Sequence, residues 1–195
     1  KNPSHIRSLA KLVELYRQGI AGRRSDGSIK LNGRGPIAEN LDDLGMPAWE
    51  LFPPAKMYPV MTQRGCPFGC NFCSRPYGRK VRRRSAVHAV TEMKRNIEQF
   101  GCASTDLYDE TFTVNKHHVR DLCELMIAEG IPARLRLWAY VHANTIDVET
   151  ARLLKRAGFV SVGFGVESPL GPVRLEYGRT ANHRDAVYLR IGRWF

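Results

Sequence analysis

No apolar run in the 195 residues approaches the ~18 needed to cross a bilayer. The first ten residues hold neither an apolar stretch nor a small-residue cleavage site, so no secretory signal is expected. Cysteine is sparse, 5 in all, which excludes a disulfide-dense scaffold. Acidic residues are the other shortage: 19 Asp+Glu stand against 30 Lys+Arg, a formal net charge of +11. Such an excess invites an anionic partner such as a nucleic acid, a phosphate or an acidic lipid surface. Charge alone specifies neither fold nor partner, because Lys and Arg also coat ordinary helices. The 43% hydrophobic and 25% charged content excludes a disordered tail or a collagen-like repeat. A soluble, cytoplasmic chain is the expectation. Lys1 rather than Met opens the sequence, so an N-terminal portion is expected to be missing.

Residues 1–36 read as an N-terminal extension. Leu9, Leu12, Val13 and Tyr16 recur at helical spacing, and Ser25-Asp26-Gly27-Ser28 before Ile29-Lys30-Leu31 reads as a hairpin turn. Residues 37–56, with Pro47, Pro53 and Pro54, look like a wrapping linker. From Met57 to the end, strand-like runs alternate with helices. Strands are expected at Met57–Thr62, Ser104–Tyr108, Ala133–Tyr140 and Phe159–Val166. The first helix follows Ser85 and carries Val87, Val90, Met93, Ile97 and Phe100 on one stripe. The second, capped by Asn115, carries Val119, Leu122, Cys123, Met126 and Ile127, and Gly130 with Pro132 ends it. Asp147 caps the third, and a last helix is expected near Asn182. Four βα units imply parallel strands with right-handed crossovers, too few for a closed eight-stranded barrel. The fold class is therefore α/β, a partial TIM-type barrel with a helical and hairpin extension.

Ligands of parallel βα folds bind beyond the carboxyl ends of the strands. Polar residues gather there after every expected strand: Cys66, Cys70 and Cys73; then Asp109, Glu110 and Thr111; then Tyr140, His142 and Asn144; then Glu167 and Ser168. The cysteines are the sharpest signal. Cys66-Pro67-Phe68-Gly69-Cys70-Asn71-Phe72-Cys73 sets three thiols in eight residues, and Pro67 and Gly69 let the backbone curl around one object. A thioredoxin-type pair would leave Cys66 unexplained. Zinc needs a fourth ligand, for which His88 is the nearest candidate. Three thiolates suit a 4Fe–4S cluster whose fourth iron stays open. Cys102 and Cys123 read as small core residues.

At these residues the chain resembles the radical S-adenosylmethionine superfamily, whose signature is three cysteines at this spacing with an aromatic residue, here Phe72, before the last. The likeness continues through Arg64 to Cys70, Arg84-Ser85, Tyr108 to Thr113, and Gly163 to Ser168, in the family's order. Leu41 to Leu44 with Pro47-Ala48-Trp49 is similar to the subgroup carrying an N-terminal cobalamin-binding domain, of which residues 1–36 would be the trailing edge. The resemblance implies that Cys66, Cys70 and Cys73 hold the cluster. S-adenosylmethionine chelates the open iron and is cleaved reductively to methionine and a 5′-deoxyadenosyl radical. Phe72 would lie near the adenine, Asp109 and Glu110 near the methionine amino group, and Glu167 and Ser168 at ribose or carboxylate contacts.

The implied partners are a small-molecule substrate and an electron donor such as flavodoxin or ferredoxin. Cobalamin-dependent methyl transfer is the related chemistry the subgroup suggests. Only four of the family's six βα units are expected, so the chain reads as an excerpt of a longer enzyme. Two other readings stay open. One is a zinc-stapled basic module for nucleic acid, suggested by Arg75, Arg79, Lys80, Arg82, Arg83 and Arg84. The other is a fragment that folds but catalyses nothing.

Overall fold

The computed structural model describes the backbone of residues 21–23, 25–26, 28–31, 37–70, 73, 75–168, 171–179 and 185–191. It divides into two compact units between Glu39 and Asn40. In the first, β1 (Ala21–Arg23) and β2 (Ile29–Leu31) pair antiparallel as the expected hairpin. Asp26 holds the turn, its Oδ1 accepting from the Ser28 N–H at 2.8 Å and the Ser28 hydroxyl at 2.7 Å. The helix expected within residues 1–20 lies outside the described residues.

The second unit is built on three parallel strands, β5 (Ser104–Leu107), β6 (Arg136–Val141) and β7 (Phe159–Ser168). The expected first strand joins the edge of β5 through parallel bridges at Met57↔Ser104 and Val60↔Leu107. Helices α1 (Ala86–Phe100), α2 (Lys116–Ala128) and α3 (Val148–Arg156) follow the first three strands. Each starts where a side chain accepts the N–H three residues on: Ser85 from His88 at 3.1 Å, Asn115 from His118 at 2.9 Å, Asp147 from Thr150 at 2.8 Å. One core joins Val90 and Met93 of α1, Leu122, Cys123 and Met126 of α2, and Leu107, Leu137 and Ala139 of the strands.

Three expectations are corrected. The chain after β7 forms no helix over the described residues; β8 (Gly171–Arg179) and β9 (Asp185–Ile191) extend the sheet antiparallel. The reason is period-two patterning. Val173, Leu175 and Tyr177, then Val187, Leu189 and Ile191, alternate with polar or small residues, which suits strands rather than a 3.6-residue repeat. Val87 is 66% exposed rather than part of the buried stripe, which begins at Ala89 and Val90. The third strand starts at Arg136, because Ile131–Ala133 with Pro132 makes a 3₁₀ turn first. The five-stranded sheet β5-β6-β7-β8-β9 is open, so the partial-barrel expectation holds as a parallel α/β core without closure among the described residues.

Residues from Asn40 onward belong to the second unit. Trp49 leans on Tyr58, and Tyr58 on Phe100, with ring centroids 5.3 and 5.5 Å apart. Arg95 of α1 donates to the Pro47 carbonyl and to Glu50, both at 2.8 Å. Among the described residues no helix is long and apolar enough to cross a membrane.

Candidate functional site at the carboxyl ends of the strands

The three cysteines lie on a loop closed at its base by β3 (Gln63–Arg64) pairing antiparallel with β4 (Arg82–Arg83). Gly65 makes the closure possible. Its φ is +99°, and a Cβ there would lie 2.2 Å from the Lys80 carbonyl oxygen, so only glycine fits. The Cys66 N–H then donates to the Gly78 carbonyl at 3.0 Å, and Arg75 ties the loop across itself by donating to the Phe68 carbonyl at 3.2 Å. Phe68 stacks flat on His142 at the end of β6, with ring centroids 3.7 Å apart and 8° between planes.

Cys66 is buried, Cys70 half-buried and Cys73 exposed, and none is in a disulfide. Burial raises the Cys66 thiol above its ordinary range, and the neighbouring Glu110, Cys70 and Cys73 add to it. An electropositive ligand at the loop would reverse that shift, because a metal stabilises the thiolate. Among the described residues, no three His, Cys, Asp or Glu side chains are gathered closely enough to hold a metal ion. The loop carries the right donor chemistry for a cluster, free thiols at Cys66, Cys70 and Cys73. His88, the fourth ligand a zinc reading needs, is engaged elsewhere: its Nδ1 accepts from Arg84 Nε at 2.9 Å.

Asp109 and Glu110, adjacent in sequence, have different tasks. Asp109 is 1% exposed; its Oδ1 accepts from the N–H groups of Thr62 at 2.7 Å and Gln63 at 3.0 Å, and its Oδ2 accepts from the Thr62 hydroxyl at 2.5 Å. Burial nevertheless pushes its carboxyl up to about 6, against the lowering effect of those three bonds. Asp109 thus clamps the backbone one residue ahead of the cysteine loop. Both oxygens of Glu110, by contrast, are buried without a hydrogen-bond partner among the described residues. A desolvated carboxylate without donors is costly unless a cationic ligand reaches it, so Glu110 fits the ammonium group that the family resemblance assigns to this position.

Phe72 lies outside the described residues. Glu167 and Ser168 end β7, opposite Pro172 and Gly171 of β8. Cys102 and Cys123 are buried at 3% and 0% exposure, as expected of core residues. Sequence reasoning missed the Thr62–Asp109 clamp and the Phe68–His142 stack, both contacts between residues distant in sequence. Gly65 was the one legible signal, a glycine directly before the first ligand.

A family model described as the radical SAM superfamily matches residues 60–189, most of the second unit and all of the cysteine loop. The chain belongs to this superfamily. Its radical SAM relatives are enzymes. One is an uncharacterized methyltransferase of Pyrococcus horikoshii, 30% identical over 174 residues that cover 84% of this chain and 37% of that protein. Another is the cytidylyl-2-hydroxyethylphosphonate methyltransferase of Streptomyces wedmorensis, 25% identical over 191 residues, 77% of this chain and 35% of that one. Among solved structures, the radical S-adenosylmethionine methyltransferase TsrM of Kitasatospora setae, with tryptophan and a cofactor analogue bound, superposes with a TM-score of 0.60. It shares 20% identity over 84% of this chain and 36% of TsrM, a likeness of fold. The radical SAM chain thus spans little more than a third of each of these relatives.

Proposed function

We propose that this chain is the S-adenosylmethionine-cleaving core of a cobalamin-associated radical methyltransferase. The observation that carries the reading is the buried, unpartnered Glu110 carboxylate beside Cys66, at the mouth of a loop bearing three free thiols. Cys66, Cys70 and Cys73 would hold a 4Fe–4S cluster, which when reduced supplies the single electron for reductive cleavage of S-adenosylmethionine. Glu110 would accept hydrogen bonds from the cofactor's ammonium group, and Asp109, through Thr62 and Gln63, would set the height of the loop above the sheet. Phe68 on His142 would keep the loop from lifting. Phe72, Glu167 and Ser168 are proposed for the adenine and ribose or carboxylate contacts, as the resemblance implies. Electrons would come from a small acidic carrier such as flavodoxin or ferredoxin. The methyltransferase part of the reading rests on the relatives' names, and a structural neighbour, OxsB, is a cobalamin-dependent enzyme with cobalamin and S-adenosylmethionine bound.

The test is anaerobic reconstitution with iron and sulfide, followed by electron paramagnetic resonance of the reduced protein. A 4Fe–4S signal that changes on adding S-adenosylmethionine, with 5′-deoxyadenosine detected in the mixture, supports the proposal. Stoichiometric zinc that iron does not displace would overturn it in favour of a zinc module. A cluster that ignores S-adenosylmethionine would leave an inert fragment.

A further inference from the structure

Beside the cysteine loop, the half-buried face of the parallel sheet away from the helices forms one wall of an open cleft of about 740 Å³. Its lining is unusual for a chain of net charge +11: Tyr77, Tyr108, Trp138 and Tyr140 supply four aromatic rings and Asp106, Asp109 and Glu110 three carboxylates. No lysine, arginine or histidine lines it among the described residues. Asp109 and Glu110 already have assigned roles. Asp106 does not, and it lies four residues before Glu110, on the order of 10 Å deeper along the sheet, beyond reach of the same ammonium.

Strand register explains how this wall is made. Asp106 pairs with Trp138, and Trp138 with Ser161, in one row; Tyr140 pairs with Gly163 in the next. Side chains two apart share a face, so Asp106, Trp138 and Tyr140 stand together while Leu107, Leu137 and Ala139 turn to the helices. The Trp138 and Tyr140 rings meet edge-on, centroids 4.2 Å apart at 81°. Gly163 gives them the space: a Cβ there would lie 2.8 Å from Trp138 Cζ2 and 3.3 Å from the Tyr140 ring. Burial alone holds the Asp106 carboxyl above its ordinary range.

We propose that this wall is the substrate subsite, and that it takes a flat aromatic ring system bearing an ammonium or other cationic nitrogen, the ring against Trp138 and Tyr140 and the nitrogen on Asp106. The proposal deepens the radical SAM reading and rests on it for the word substrate. A phosphate, phosphonate or carboxylate against Trp138 would face the Asp106 carboxylate, while the Arg64 guanidinium beside the cleft is held over the Tyr77 ring, 5.2 Å from its centroid, so anionic substrates are disfavoured by charge. A cation over aromatic faces gains the ring quadrupole as well as the carboxylate.

The experiment is binding to the purified full chain, by calorimetry, of 2-naphthylmethylamine, 2-naphthoate and cyclohexylmethylamine. The naphthylamine should bind at least about tenfold more tightly than either of the others, since each lacks one recognised element. Asp106→Asn should erase most of the amine-over-carboxylate preference. Gly163→Ala, which changes no charge, should weaken the naphthylamine about tenfold by displacing the Trp138 ring and leave that preference in place. Equal binding of amine and carboxylate, or no binding of any probe at millimolar concentration, overturns the proposal. So does displacement of the naphthylamine by S-adenosylmethionine, which would give the wall to the cofactor. None of these measurements needs the cluster, so they fail or succeed independently of the electron paramagnetic resonance test.

Discussion

Asp109 allows a quantitative test of what holds the cysteine loop in place. Its carboxyl stands at about 6 in the folded protein against 3.8 for an ordinary aspartate. A group raised by folding stabilises the native state in its protonated form. That contribution is fully present below 3.8 and is lost as the pH rises through about 6. The difference of about 2 pKa units corresponds to roughly 3 kcal/mol. Asp109→Asn keeps an oxygen to accept from Thr62 and Gln63 and removes the titration. Relative to the variant, the parent should therefore lose roughly 2–3 kcal/mol of unfolding free energy between pH 4 and pH 7, with a plateau above. Asp109→Ala removes the acceptor and strands two buried N–H groups, at about 1–3 kcal/mol each. It should lie roughly 2–6 kcal/mol below Asp109→Asn at every pH. Urea unfolding followed by circular dichroism across pH 4–8 reads both differences. Parallel pH curves for parent and Asp109→Asn would refute the buried titration. Equal stability of the Asn and Ala variants would refute the clamp.

Other outcomes follow from the same geometry. Cys66→Ala, Cys70→Ala and Cys73→Ala should each lose cluster iron after anaerobic reconstitution, whereas Cys102→Ser and Cys123→Ser should retain it by iron and sulfide analysis. In the native protein, maleimide should label the exposed Cys73 first and spare Cys123, whose thiol is fully buried and pushed up to about 12. Gly65→Ala forces a Cβ into the Lys80 carbonyl at a positive φ, so limited proteolysis should cut within residues 65–81 much faster than in the parent. Arg84 Nη1 meets Glu92 at 2.5 Å with side chains only 8% and 1% exposed. Arg84→Ala should cost about 3–5 kcal/mol in urea titration by leaving a buried charge unpaired, and Arg84→Met with Glu92→Leu should recover much of it.

Helices α1, α2 and α3 were legible because each begins with a local transaction: Ser85, Asn115 and Asp147 each satisfy an N–H three residues away. The cysteine loop was legible for the same reason, its chemistry being confined to eight consecutive residues. The hairpin strands β8 and β9 were misread because Asn182 mimics an N-cap, while the deciding alternation runs over residues on both sides of it. The site's anchors were not legible at all. Asp109 meets residues 46 and 47 positions earlier, and Phe68 meets His142 from another strand. Nothing in a window of local sequence encodes such a meeting. Glu110 was identified beside Asp109 as one of two similar carboxylates. Only the structure separates them, one saturated with donors and the other without any among the described residues.

The long reach of Asp109 and His142 also dictates the order in which the protein can be finished. The cysteine loop is complete in sequence once β4 has been made, yet the clamp under it arrives with residue 109 and the stack over it with residue 142. At about 5–20 residues per second, the ribosome leaves the three thiols unsupported for several seconds. Contacts of such sequence separation close slowly, after local helices have formed. Metal should therefore be held stably only once residue 142 has emerged and both contacts can close. A nascent chain arrested before residue 109 would present three reactive thiols to any oxidant in its surroundings.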